Sequence, residues 1–124
     1  MLQVYSTNVD VAVDSAVPFN STIVEKGCTA THSGPSTIEL NKAGVYKVDV
    51  DGVAAAETTI QLSREGVLLP QATSTGTTLG FTTLIQVPTN CTPICYSNPV
   101  TLSLFNTGAE TTFDHINMVV TKIC

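Results

Sequence analysis

The sequence contains no tryptophan, and aromatic residues make up only 6% of it, so a core must be built mainly from aliphatic side chains. Charge is equally scarce. Charged residues amount to 12%, with five Lys and Arg against ten Asp and Glu, for a net charge of -5 at pH 7. Nucleic-acid binding needs a surplus of Lys and Arg to meet phosphates, so this balance excludes it. No window approaches the roughly 18 consecutive apolar residues of a membrane-spanning helix, and no membrane partner is expected. The first residues, Met1-Leu2-Gln3-Val4-Tyr5, lack a basic stretch and a long apolar run, and Asp10 and Asp14 interrupt the residues after them. A signal peptide needs those features, so the expected site of synthesis is a cytoplasm. Disorder requires low hydrophobicity with high charge. A hydrophobic content of 43% and a mean hydropathy of +0.26 are the opposite.

Threonine and valine are abundant, at twenty and fifteen residues. Both are β-branched, stiff at χ1 and suited to a pleated surface. At 124 residues and 13.0 kDa the chain is long enough for one domain with a real core. The whole span 1–124 reads as that domain, with residues 1–16 as an N-terminal arm or first strand.

Alternation of apolar and polar residues marks the strands. It runs through Val9, Val11 and Val13, and Ala16-Val17-Pro18-Phe19 continues it at an edge. It returns at Thr37 to Leu40, and most cleanly at Val45 to Asp51, where Tyr46, Val48 and Val50 share one face. The four small residues from Val53 to Ala56 are too few to nucleate a helix. Thr58 to Ser63, Val67 to Leu69, Phe81 to Val87, Val100 to Phe105 and Phe113 to Ile123 complete the set. Asn20 to Ser36 reads as a turn-rich stretch, Pro70 to Gly80 as a Thr/Ser/Gly linker, and Thr89 to Pro99 as a loop. Seven or eight short strands in one domain mean an all-β sandwich or barrel.

Little chemistry is legible. Asp114-His115 invites a catalytic pairing, but neighbours in a strand point to opposite faces and cannot orient each other. His32 stands in a Thr/Ser/Gly stretch. Asp49 and Asp51 share a face beside Lys47, two carboxylates where calcium wants six to eight oxygens. Cys91 and Cys95 are separated by three residues and accompanied by Cys28 and Cys124. They admit a disulfide, a pair of metal thiolates or free thiols. No phosphate loop or nucleophile elbow is present. The chain is therefore expected to be no enzyme and to need no cofactor or metal.

Three segments carry a resemblance. Val17-Pro18-Phe19-Asn20, then Ile38-Glu39-Leu40 with Ala43-Gly44-Val45-Tyr46-Lys47-Val48, then Ile60-Gln61-Leu62-Ser63-Arg64-Glu65-Gly66 follow one another in order. With the closing strands Val100 to Phe105 and Phe113 to Ile123, they resemble the jelly-roll heads of the tumour necrosis factor and complement globular-head superfamily. Asn98-Pro99 stands where that superfamily has Gly-Asp, so its ligand and metal sites are not carried over. The resemblance implies an antiparallel two-sheet jelly roll that assembles as a homotrimer. Tyr46 and Phe113 are then the expected aromatics of the trimer interface.

A narrower resemblance runs through Val4-Tyr5-Ser6-Thr7-Asn8, Lys26-Gly27-Cys28-Thr29-Ala30, Pro70-Gln71-Ala72 with Ser74-Thr75-Gly76, and Val119 to Cys124. These look like small proteins of phages and prophages of gut Firmicutes. That implies a virion-surface protein, decorating the capsid against the major capsid protein or forming a head fibre. The alternative is a receptor-binding head at a tail or fibre tip, gripping a host saccharide or protein through Thr73 to Gly80 or Thr89 to Pro99.

Overall fold

Strands account for almost every element of the computed structural model, which describes residues 1–26, 30–91, 95–97 and 100–123. They are β1 (Leu2–Val11), β2 (Ser15–Ala16), β3 (Ser21–Glu25), β4 (Ala30–Gly34), β5 (Thr37–Leu40), β6 (Gly44–Arg64), β7 (Val67–Val87), β8 (Thr89–Cys91), β9 (Cys95–Ser97), β10 (Val100–Asn106) and β11 (Thr111–Lys122). The all-β sandwich expected from the alternation is present.

β6 and β7, 21 residues each, organise it. They form one long antiparallel hairpin whose register breaks between Val53 and Thr58. Before the break, β6 lies between β11 and the second half of β7. After it, β6 lies between β10 and the first half of β7. The hairpin thus passes from one sheet to the other. One sheet runs β3-β1-β11-β6-β7, and the other β4-β5-β10-β6-β7. Residues 53–56 form this corner, with Ala54 buried and Ala55 and Ala56 exposed.

The inner faces follow the alternation. Tyr46, Val48 and Val50 on β6, Leu102 and Leu104 on β10, and Ile116 and Met118 on β11 are all buried. Total exposed surface is 6075 Å², close to the roughly 6,000 Å² expected for a folded chain of this mass. Close approach fixes glycine at two positions, one in a turn and one inside β6. A Cβ on Gly108 would sit 2.4 Å from the Thr59 nitrogen, because the β10–β11 turn donates from Thr107 and Gly108 to the Thr59 carbonyl. A Cβ on Gly52 would sit 2.8 Å from the His115 carbonyl, at the bulge of β11.

Three expectations are corrected. Residues 70–80 are no linker: they lie within β7, with Thr73 opposite Gln61 and Ser74 opposite Ile60. Threonine on a pleated, half-exposed strand resembles loop composition, and backbone pairing with β6 decides between them. Pro70 falls where the register shifts between Gln61 and Ser63, on an edge strand, so its missing N–H costs no interior ladder bond. Residues 20–36 contain β3 and β4, and residues 89–97 contain the β8–β9 hairpin.

Candidate self-association surface

β7 contributes the outermost strand at one side of both sheets, pairing with β6 alone among the described residues. Its 21 residues, VLLPQATSTGTTLGFTTLIQV, include no Lys, Arg, Asp or Glu. Natural edges are normally guarded by charge, bulges or proline, because open N–H and C=O groups recruit further strands. Here Pro70 and the bulge beside it are the guards, and the remainder is neutral.

Apolar side chains stand out along the same strand. Val67 is 66% exposed, and Leu84 on the outward face is 57% exposed. Leu84 lies opposite Lys47, which in turn lies opposite Thr121. At that end of the sheet the Ile123 N–H donates to the Val45 carbonyl over 2.8 Å, and the exposed Ile123 side chain adds to the apolar area.

Beside this patch, the outer face of the first sheet holds an open depression of about 530 Å³, with Asp49, Asp51, Phe81, Thr82, Asn117 and Val119 among its lining residues. Its polar groups are tied to one another. Thr82 Oγ1 donates to Asp49 Oδ1 over 2.6 Å, and Asn117 Nδ2 donates to Asp51 Oδ1 over 3.1 Å. Gln3 Nε2 donates to Asn117 Oδ1, and Lys47 Nζ lies 3.8 Å from Asp49 Oδ2. The two carboxylates are thus engaged by neighbours on adjoining strands. Among the described residues no three His, Cys, Asp or Glu side chains converge on a metal position.

Charge is uneven along the strand direction: one end carries carboxylates alone, and the opposite half carries every cation together with Glu25, Glu39, Asp49, Asp51 and Glu65. Asp10, Asp14, Glu57, Glu110 and Asp114 all lie exposed at the end where β6 crosses between sheets. All five cations, Lys26, Lys42, Lys47, Arg64 and Lys122, belong to the opposite half. Alternation along strands does not reveal this, because it appears only once the strands are laid side by side.

The residues expected at an interface are elsewhere. Tyr46 and Phe113 are both 0% exposed in the single chain, inside its own core, and present no surface to a neighbour. Tyr46 sits on the inner face with Val48, and its hydroxyl donates to the Lys42 carbonyl over 2.7 Å. The Lys42 N–H donates back over 3.3 Å. Its aromatic ring anchors the turn that enters β6. Burial pushes the phenol above its ordinary range, only partly opposed by the Lys42 hydrogen bond. A phenol with a raised folded pKa contributes stability that is intact below the unfolded value, about 10, and is lost as pH rises through the folded one. Thermal midpoints measured between pH 8 and pH 11 should therefore fall above about pH 10. Tyr46→Phe should flatten part of that decline at a cost of about 1 kcal/mol near neutrality. A Tyr46→Phe profile identical to that of the unaltered chain would remove Tyr46 as the cause.

Asp114 and His115 are adjacent and both exposed, because the β11 bulge between Phe113 and His115 interrupts the alternation. The expectation that they face opposite ways is corrected. His32 is half-buried on β4, with Nδ1 2.9 Å from Thr22 Oγ1 and Nε2 3.3 Å from the Pro35 carbonyl. Cys91 and Cys95 occupy β8 and β9, while Cys28 and Cys124 lie outside the described residues. Sequence reasoning missed Val67, Leu68 and Leu84. The available signal was the charge-free stretch from 67 to 87, concealed by reading its middle as a linker.

No protein-family model matches the chain, and no curated protein matches it. Solved structures do. The globular domain of zebrafish complement 1qA superimposes with a TM-score of 0.65 at 8% identity, over 95% of this chain and 94% of that one. Rabbit GITRL gives 0.63 at 7% identity, over 100% and 95%. Murine APRIL, at pH 8.5, gives 0.59 at 11% identity, over 98% of each chain. At such identities the likeness concerns the fold, which is the jelly roll of the tumour necrosis factor and complement globular heads.

Proposed function

We propose that this chain is a non-enzymatic, homotrimeric structural protein of a phage virion surface, set against the major capsid protein as a decoration or head fibre. The observation that carries the self-association is the neutral, open edge of β7 with Val67 and Leu84 exposed along it. A ring of three subunits covers such edges and closes, whereas an open series of the same contacts would grow into fibres. The phage setting is supported by the resemblance of Val4 to Asn8, Lys26 to Ala30 and Val119 to Cys124 to small phage proteins. The uneven charge gives a ring of three one acidic rim, at the end where Asp10, Glu57 and Asp114 lie. Such a particle has two unlike ends with which to meet a larger assembly.

The second reading is a receptor-binding head, and the β8–β9 hairpin, which forms a sheet of its own, favours it. Light scattering on the purified chain at micromolar concentration tests the trimer. The expected mass is three times 13.0 kDa, and a mass of 13.0 kDa would remove the assembly and the virion role built on it. Quantifying the protein in purified particles separates the two readings. Copy numbers comparable to the capsid protein support decoration, and a few copies per particle support the receptor-binding head.

A further inference from the structure

Two rows of residues cross the outer face of the first sheet from β1 to β7. One is Tyr5, Asn117, Asp51 and Gly80, and the other is Gln3, Val119, Asp49 and Thr82. Neighbouring strands lie about 4.8 Å apart, so each row spans about 14 Å. Nothing in the fold requires the glycine at 80. Its φ is not among the left-handed ones, and the β6–β7 ladder is regular on both sides of it. A Cβ there would meet nothing closer than the Val50 carbonyl at 3.4 Å, an ordinary contact. Glycine inside a strand gives up chain stiffness and side-chain packing, and where it makes neither bend nor bulge it marks a close approach of another molecule to the backbone. Opposite Asp51, its missing side chain opens the depression of about 530 Å³.

The polar groups around that opening are oriented from strand to strand. Asp49 is engaged on both oxygens, by Thr82 Oγ1 and by Lys47 Nζ. Asp51 accepts from Asn117 on Oδ1 alone. Its second oxygen and the second Nδ2 hydrogen of Asn117 have no partner among the described residues, so an acceptor and a donor stand side by side. Two adjacent hydroxyl groups fit this pair, one donating to Asp51 and the other accepting from Asn117. Tyr5, half-buried on the same face beside Asn117, adds an aromatic ring with an apolar body. Two carboxylates against one lysine disfavour an anionic ligand. We propose that this depression binds a neutral pyranose through two adjacent hydroxyl groups, held by Asp51 and Asn117 over the bare backbone at Gly80. The site rests on neither the trimer nor the virion setting, so its failure would leave both readings to light scattering.

Saturation-transfer NMR on the full-length protein tests this with methyl α-glucoside, methyl α-mannoside and methyl β-galactoside as probes. Between them they present adjacent hydroxyls in equatorial pairs and in both axial–equatorial arrangements. Transfer to the ring protons of at least one is expected. Asp51→Ala removes the acceptor, and Gly80→Thr fills the depression while leaving every polar group in place. Both positions are exposed, so the circular dichroism spectrum should stay that of the unaltered chain while each variant abolishes the transfer. Silence with all three glycosides, or transfer that survives either variant, would overturn the proposal. A Gly80→Thr protein with an altered mass in light scattering would overturn it too, because the glycine would then serve a contact between copies.

Discussion

Asn106→Leu should lower stability by about 2 to 6 kcal/mol, as four hydrogen bonds of one buried side chain are lost at about 0.5 to 1.5 kcal/mol each. Asn106 ends β10 with no exposed surface, and every direction of its amide is in use. Its Oδ1 accepts from Thr58 Oγ1 and from the Gly108 N–H over 3.3 Å. Its Nδ2 donates to the Val11 carbonyl over 3.2 Å and to the Ala109 carbonyl over 2.9 Å. One side chain therefore ties the end of β1, the middle of β6 and the β10–β11 turn together, where the chain passes between sheets. Leucine keeps the branched skeleton and is bulkier, so no cavity opens and the loss combines the missing hydrogen bonds with crowding by its methyl groups. On a total of roughly 5 to 15 kcal/mol this is severe, and the thermal midpoint should drop by about 10 to 20 °C. Calorimetry or thermal circular dichroism checks it, and a drop of only a degree or two would show that the network is dispensable.

Asn106→Asp sharpens the test. A carboxylate there would face the Val11 and Ala109 carbonyl oxygens in place of donating to them, so its folded pKa would lie above the unfolded value of about 3.9. The stability of this variant is then greatest below about pH 4 and falls as pH rises through the folded pKa. That trend is opposite to the one set by a carboxylate held in a salt bridge.

Leu84→Glu should convert the proposed trimer into monomers while leaving the subunit folded. Leu84 is exposed in the single chain, and surface substitutions of that kind usually change stability by less than about 0.5 kcal/mol. Its cross-strand neighbour is Lys47, so a glutamate at 84 finds a cation within the subunit. Buried against another copy, that carboxylate would lose water together with Lys47, which already lies 3.8 Å from Asp49, and this desolvation costs several kcal/mol per site and is repeated three times in a ring. Light scattering should give 13.0 kDa for the variant with an unchanged circular dichroism spectrum. A trimer that survives Leu84→Glu would place the contact away from this part of β7. Tyr46→Ala works the other way. Removing a fully buried aromatic costs about 3 to 5 kcal/mol within the subunit, so melting of the fold accompanies any loss of assembly.

Much of the architecture is legible before any coordinates. Valine and threonine content, the rhythm of Tyr46, Val48 and Val50, and that of Leu102, Leu104, Ile116 and Met118 determine an all-β chain and the inward side of its main strands. They do so because side-chain period in a strand is a local property of the backbone. Local rhythm says nothing about which strands become neighbours. Only tertiary pairing with β6 turns residues 70–80 into strand and makes β7 an uncharged edge of both sheets. Only the bulge in β11 turns Asp114 and His115 outward together. Tyr46 and Phe113 carry the apolar mass expected of an interface, but whether an aromatic faces the subunit's own core or a neighbour depends on the second sheet, which lies far away in sequence. The same holds for charge: Asp10, Glu57 and Asp114 are distant along the chain and share one end because antiparallel strands bring their ends together. Faces are written residue by residue, whereas edges, ends and covered surfaces are set by long-range pairing.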